Sequence, residues 1–243
     1  GWRVVKLTPP ASSTTPWMVT AERNGEQVRV EADHVWSTLP ITLLATLLDG
    51  PVPEPVRAAA QAITYRAMIL IYLQLDVAQF TEFDAHYFPA ANLRITRLSE
   101  PKNYSVTGMP ARTTVLCAEL PCDPTDAVWS MTDAELGALV TEDLKNAGVP
   151  LPRPAVAVLG RRLKQAYPIY TPGYETPFAI LDTWSGTLPR LLTYGRQGLF
   201  AHDNTHHALA MAYRAVDCLK DSQFDLAAWK GHRAEFETHV VED

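Results

Sequence analysis

Alternating apolar and polar residues open the chain at 4–7, 17–22 and 28–36, and their β-branched content predicts three strands. Asn24-Gly25 is a two-residue hairpin turn between the second and third. The proline-rich stretch 8–16 reads as a surface connection, and the pattern alone fits a three-stranded meander and any other small antiparallel sheet equally. A short apolar helix over 41–48 follows Pro40, and a second, begun by prolines, spans 53–63 with Ala58 to Ala60 as its packing side. Residues 67–75, AMILIYLQL, are apolar at odd and even positions alike, as in a strand covered on both faces. Further strands are expected within 86–98 and over 113–120, the latter ending before Pro121. The clearest helix is 132–146: Thr132 and Glu135 have capping-box spacing, and Asn146-Ala147-Gly148 ends it. Residues 155–166 read as a strand that stays extended through 170. A helix over 174–184 has Pro177 near its start, and an amphipathic helix over 226–240 comes last.

One stretch combines several signals. In 194–219, YGRQGLFAHDNTHHALAMAYRAVDCL, a short strand over 191–194 turns at Gly195, passes Gly198 and enters an alanine-rich helix. Asp203, Asn204 and Thr205 are all good N-cap residues. A strand, a glycine turn and a helix start place free N–H groups and the positive end of the helix dipole before an electron-rich partner.

Composition narrows the classes. With 243 residues, 47% of them hydrophobic, the chain can build one large core or two small ones. A formal charge of −6 and no basic cluster argue against nucleic acid. Cys117, Cys122 and Cys218 have no CxxC spacing and read as reduced thiols, which points to a cytoplasmic protein. No apolar run reaches membrane-spanning length, which leaves peripheral membrane contact open.

Two other chemistries find little support. His202, His206 and His207 with Asp203 have partial metal-ligand spacing, but no HExxH or distant carboxylate cluster completes a set, so no metal is expected. No GxSxG elbow supports a nucleophilic hydrolase.

The 194–219 stretch resembles the C-terminal flavin-contacting motif of FAD-dependent oxidoreductases of the protoporphyrinogen oxidase/amine oxidase superfamily. DHVWSTLPITLLATLL, 33–48, is similar to a strand and helix of the same superfamily, and RLSEPKNYS (97–105) and AYPIY (166–170) to substrate-domain segments of its protoporphyrinogen oxidase-like branch. The resemblance implies an α+β fold, with a mixed-sheet substrate domain at 41–185 inserted into a partial FAD-binding domain at 1–40 and 186–243. That second domain would combine the three-stranded meander with the strand–turn–helix. It also implies FAD as cofactor. The backbone at Thr38 and Pro40 would lie beside it, Gly195 and Arg196 near the ribityl-pyrophosphate, and Asn204, Thr205 and His206 near the flavin ring. Arg97, Tyr104, Tyr167 and Tyr170 would line a cavity for a small-molecule substrate. The chain has no GxGxxG. The resemblance therefore implies the C-terminal portion of a flavoenzyme, inactive without an N-terminal dinucleotide-binding segment supplied in cis or as a separate chain. Amine oxidases of this superfamily carry a lysine six residues after the STLP-like proline, where this chain has Thr46. That departure favours dehydrogenation, desaturation or a sugar mutase-like isomerisation over amine oxidation. A non-catalytic α+β binding module is the rival reading.

Overall fold

The computed structural model describes residues 1–104 and 110–241. They form two compact units, one made of residues 1–64 and 168–243 and the other of residues 65–167. The expected boundaries after 40 and 185 are therefore displaced. Residues 41–64 and 168–185 pack into the first unit, because the helices there bury their apolar sides against one another.

The first unit begins with the expected meander, an antiparallel sheet of β1 (Arg3–Thr8), β2 (Trp17–Arg23) and β3 (Glu26–Ala32). Asn24 and Gly25 both take positive φ in the β2–β3 turn, as its hairpin geometry requires. Trp17 is fully buried, and its indole N–H donates to the Pro189 carbonyl at 2.8 Å. The third expected strand is split. β3 stops at Ala32, and β4 (Val35–Ser37) leaves the meander to pair in parallel with β10 (Leu191–Thr193). The Val35 N–H donating to Arg190 O at 3.0 Å starts that pairing. The helices of this unit are α1 (Ile41–Leu47), α2 (Glu54–Ala62), α4 (Glu175–Ser185), the single turn α5 (Gly195–Gly198), α6 (Thr205–Asp217) and α7 (Leu226–Phe236). Pro177 sits in the first turn of α4, where no intrahelical N–H is needed. A small hairpin of β11 (Leu219–Lys220) and β12 (Gln223–Phe224) joins α6 to α7. The last helix ends at Phe236 rather than 240.

The second unit is a five-stranded sheet with the order β6 (Ala85–Tyr87), β7 (Arg97–Ser99), β8 (Thr114–Cys122), β5 (Tyr65–Leu75) and β9 (Ala157–Pro168, its last residue belonging to the first unit). β5 lies between two neighbours, and its Ile69, Ile71, Leu73 and Leu75 are completely buried. Each such side chain contributes about 1.5–3 kcal/mol by leaving water. β8 runs through Pro121 to Cys122, two residues beyond the expected end. Pro121 pairs with Met68 on β5, while β7 reaches only to Glu119 on the other side, so the missing N–H costs no ladder bond there. Helix α3 (Asp133–Asn146) covers this core with Leu136, Val140 and Leu144.

Two details of α3 show how tightly it is seated. A Cβ at Gly137 would lie 2.7 Å from Val158 Cγ2, so glycine is what lets the helix reach the sheet. Asp143 is buried and accepts from the N–H groups of Arg94 and Ile95 at 2.8 and 3.0 Å, which anchors the chain entering β7. The capping box is formed: Glu135 Oε2 accepts from the Thr132 N–H at 2.7 Å, and the Glu135 N–H donates to Thr132 Oγ1 at 3.3 Å.

Gly137→Ala is expected to destabilise the protein by about 1–3 kcal/mol through overpacking against the stiff Val158 side chain. Urea unfolding of the variant measures it, and an unchanged midpoint would refute the close approach. The N–H and then the hydroxyl of Thr132 hold the Glu135 carboxyl below its ordinary value. Because the folded pKa is the lower one, the cap contributes fully above the ordinary carboxyl range and fades as pH falls through the folded value. An NMR titration of Glu135 should show a depressed midpoint that moves partway back in Thr132→Val.

Candidate functional site

β4 and β10 are parallel and stop in register, Thr193 opposite Ser37, so both chains leave the pair at the same end. The Tyr194 N–H donates to Ser37 O at 3.1 Å and the Leu39 N–H to Ser37 Oγ at 3.3 Å, which sets the two loops side by side. One loop is Ser37-Thr38-Leu39-Pro40, leading into α1; the other is Tyr194 and α5. Ends of parallel strands that feed helices are where α/β proteins place ligands.

Two glycines shape this junction for different reasons. Gly195 has φ +79°, a left-handed conformation, and a Cβ there would meet Thr38 at an ordinary 3.7 Å. Backbone conformation rather than space selects glycine at this position. Gly198 is selected by space: a Cβ would sit 3.2 Å from Ser37 O. The buried Gly195 N–H donates to Met211 Sδ at 3.3 Å, which fastens α6 over the turn.

Thr38 and Gly195 are therefore neighbours, with half-buried Pro40 and Arg196 on the same two loops. Arg196 O accepts from the Ala201 N–H at 3.0 Å. At the start of α6, the Asn204 N–H donates to His207 Nδ1 at 3.2 Å. Thr205 and His206 are exposed in its first turn, where N–H groups have no helical acceptor.

A cavity of about 700 Å³ borders this junction through Leu199 and Met211. Phe200, held at φ +51° between α5 and α6, forms its floor. Tyr170 packs edge-on to Phe200 at 4.9 Å and to Tyr174 at 5.2 Å, and Phe178 lies over Phe200 at 6.0 Å. His202, Asp203 and His239 supply polar edges. Sequence reasoning named Tyr170 but missed Tyr174, Phe178, Phe200 and His239. Tyr174 and Phe178 carry a signal in hindsight, an i, i+4 aromatic pair across the start of α4. Phe200 and His239 carry none.

Arg97, Tyr104 and Tyr167 belong to the second unit. Arg97 lies on β7 directly opposite Glu119 and forms an ion pair with it, its Nε donating at 3.0 Å. Burial works against the charge, but the hydrogen bonds to Glu119 and Tyr87 outweigh it and push the guanidinium above its ordinary range. Glu100 is buried and accepts from the N–H groups of Phe80 and Thr81 and from the Thr114 hydroxyl. Tyr104 is 60% exposed after a 3-10 turn, and Tyr167 is half-buried. Ser105, the last residue of the 97–105 segment, lies outside the described residues.

Thr46 donates to the Leu43 carbonyl at 2.8 Å, a bond within its own helix. All three cysteines are free and buried, and burial pushes each thiol above its ordinary range. Among the described residues no helix is long and apolar enough to cross a membrane.

Solved structures share this architecture. A reduced UDP-galactopyranose mutase matches with TM-score 0.69 and 18% identity over 89% of this chain and 45% of its own. A protoporphyrinogen oxidase, so described provisionally, from an Exiguobacterium species matches with TM-score 0.53 and 19% identity over 82% and 42%. A redesigned putrescine oxidase matches with TM-score 0.51 and 15% identity over 79% and 42%. At these identities the likeness establishes the fold, and the chain spans less than half the length of each. No curated protein sequence matches it. The family model of flavin-containing amine oxidoreductases matches residues 1–209, and the chain belongs to that family.

Proposed function

We propose that this chain contributes one wall of the cofactor site, and part of the substrate cavity, of an FAD-dependent oxidoreductase. The observation that carries the reading is the junction at the ends of β4 and β10, where Thr38 and the left-handed Gly195 adjoin under α6. Its donors suit an electron-rich, anionic cofactor. Arg196 can bind a phosphate through its planar fork. The first-turn N–H groups of Thr205 and His206, with the helix dipole behind them, favour negative charge on a ring placed there. The nearby carboxylate, Asp203, is buried and turned to His207 and His239. FAD, when bound, accepts the hydride, so the protein's own work is to orient the substrate and keep water from the ring. The aromatic walls at Tyr170, Tyr174, Phe178 and Phe200 suit an apolar or ring-bearing substrate.

Thr46, tied to its own helix, offers no ammonium, so dehydrogenation or desaturation is favoured over amine oxidation. Redox-neutral isomerisation on the same cofactor, as the name of the mutase suggests, is the second reading. It is favoured by a fold match that runs over 89% of the chain.

A complementing polypeptide is part of the proposal. Leu209, Tyr213 and Val216 are all more than half exposed and share one stripe of α6. A segment carrying the dinucleotide-binding fingerprint, in cis or as a separate chain, would cover that stripe and hold the far end of FAD.

The first test is the visible spectrum of the protein with added FAD, alone and with a GxGxxG-bearing segment restored. Retention only with that segment supports the proposal; failure of both forms to hold flavin hands the chain to the binding-module reading. In the flavin-retaining form, Arg196→Ala is expected to weaken FAD binding by about 10- to 100-fold. That corresponds to loss of one charge-assisted hydrogen bond of about 1.5–3 kcal/mol. Unchanged affinity by fluorescence titration would remove Arg196 from the site.

A further inference from the structure

β4 and β10 make a parallel sheet of only two strands. Parallel sheets are built with both faces covered, and a sheet needs about three strands to stand in water. Each strand of this pair has one open edge, and the two edges differ.

Backbone direction decides which groups each strand leaves over. Arg190 O accepts from the Val35 N–H, and the Tyr194 N–H donates to Ser37 O. Residues 190, 192 and 194 therefore turn their backbone groups toward β4, while Leu191 and Thr193 turn theirs outward. The Leu191 N–H is taken by Leu188 O in the preceding turn. Leu191 O, the Thr193 N–H and Thr193 O are left with no hydrogen-bond partner among the described residues, although Thr193 is only 6% exposed. On β4 the same alternation turns Trp36 alone outward.

A cavity of about 660 Å³ runs beside the β10 edge. Leu191, Leu192 and Thr193 line it in succession. Neighbouring side chains on a strand point to opposite faces, so a cavity that meets all three lies along the edge and not on a face. Its walls are the end of α4, at Asp182 and Ser185, and one side of α7, at Trp229 and Arg233. An open strand edge in a gap between two helices is the setting of an inner strand in a covered parallel sheet.

We propose that this gap receives a third strand, added parallel to β10 by the complementing segment, a placement that rests on the FAD reading. The direction follows from the dinucleotide fingerprint, whose glycines come directly after a strand. A strand running with β10 delivers them to the end where Thr38 and Gly195 adjoin; an antiparallel one carries them to the opposite end. The added backbone supplies an acceptor to the Thr193 N–H and donors to Leu191 O and Thr193 O. One ion pair joins the walls, Arg233 Nη1 donating to Asp182 Oδ1 at 2.8 Å. Both side chains are about a quarter exposed, and a lone pair in contact with water opens at little cost when a strand enters.

The test is amide hydrogen exchange by NMR, on the chain alone and on the form with the GxGxxG-bearing segment restored. Restoring the segment should slow the Thr193 amide at least about 10-fold, as a new ladder bond does, and leave the Trp36 amide at its former rate. Thr193→Pro removes only the outward N–H, so the chain should still fold, while its affinity for the segment added as a separate chain should fall at least about 10-fold. If this variant does not fold, the exchange comparison decides alone. Flavin held with Thr193 exchange unchanged, or with Trp36 slowed in its place, overturns the strand addition and leaves the FAD reading standing. A segment that neither binds nor restores flavin overturns both.

Discussion

The first unit depends on one parallel strand pair. Three residues of β4 and three of β10 run side by side, and because they end together the two loops beyond them must share the space at one end. Parallel strands cannot be joined by a tight turn, and here the connection includes the whole of the second unit. The pair is too short to hold by its ladder alone. The Trp17 indole bound to Pro189 O, just before β10, and the Arg190 side chain bound to Thr15 O brace it from the meander. Gly198 then lets α5 close against the Ser37 carbonyl, and Met211 locks α6 over the turn.

The second unit is held differently. Its stability lies in a continuous apolar layer shared by β5, β8 and α3, with Asp143 and the α3 capping box satisfying the backbone where the chain enters and leaves. Arg97 belongs to this economy of internal partners. On β7 it neutralises Glu119 across the sheet.

Local signals carried most of the secondary structure. Asn24-Gly25, Thr132 with Glu135, and the run over 67–75 each act within a few residues, and each element formed where those residues placed it. What failed was non-local. Nothing in 28–36 says that the strand must break after Ala32, because the partner that draws Val35 away is β10, far along the chain. Pro121 looked like a strand end because its N–H is missing, yet its harm depends on whether a neighbour reaches that far. At the candidate site the glycines and the helix start were legible as types. The sequence could not distinguish Gly195, chosen by its backbone angle, from Gly198, chosen by contact. His239 was invisible because only the folding of α7 brings it to Asp203.

The chain leaves the first unit after Thr64 and re-enters it at Pro168, and there the Ile169 N–H donates to Thr64 O at 3.0 Å. Exit and return are thus clasped by a single backbone bond inside the first unit. Whatever is threaded between them is, to that unit, a loop of arbitrary length whose closure grows only slowly more costly with size. The intervening sheet is therefore free to change in length or shape without disturbing the junction at the ends of β4 and β10.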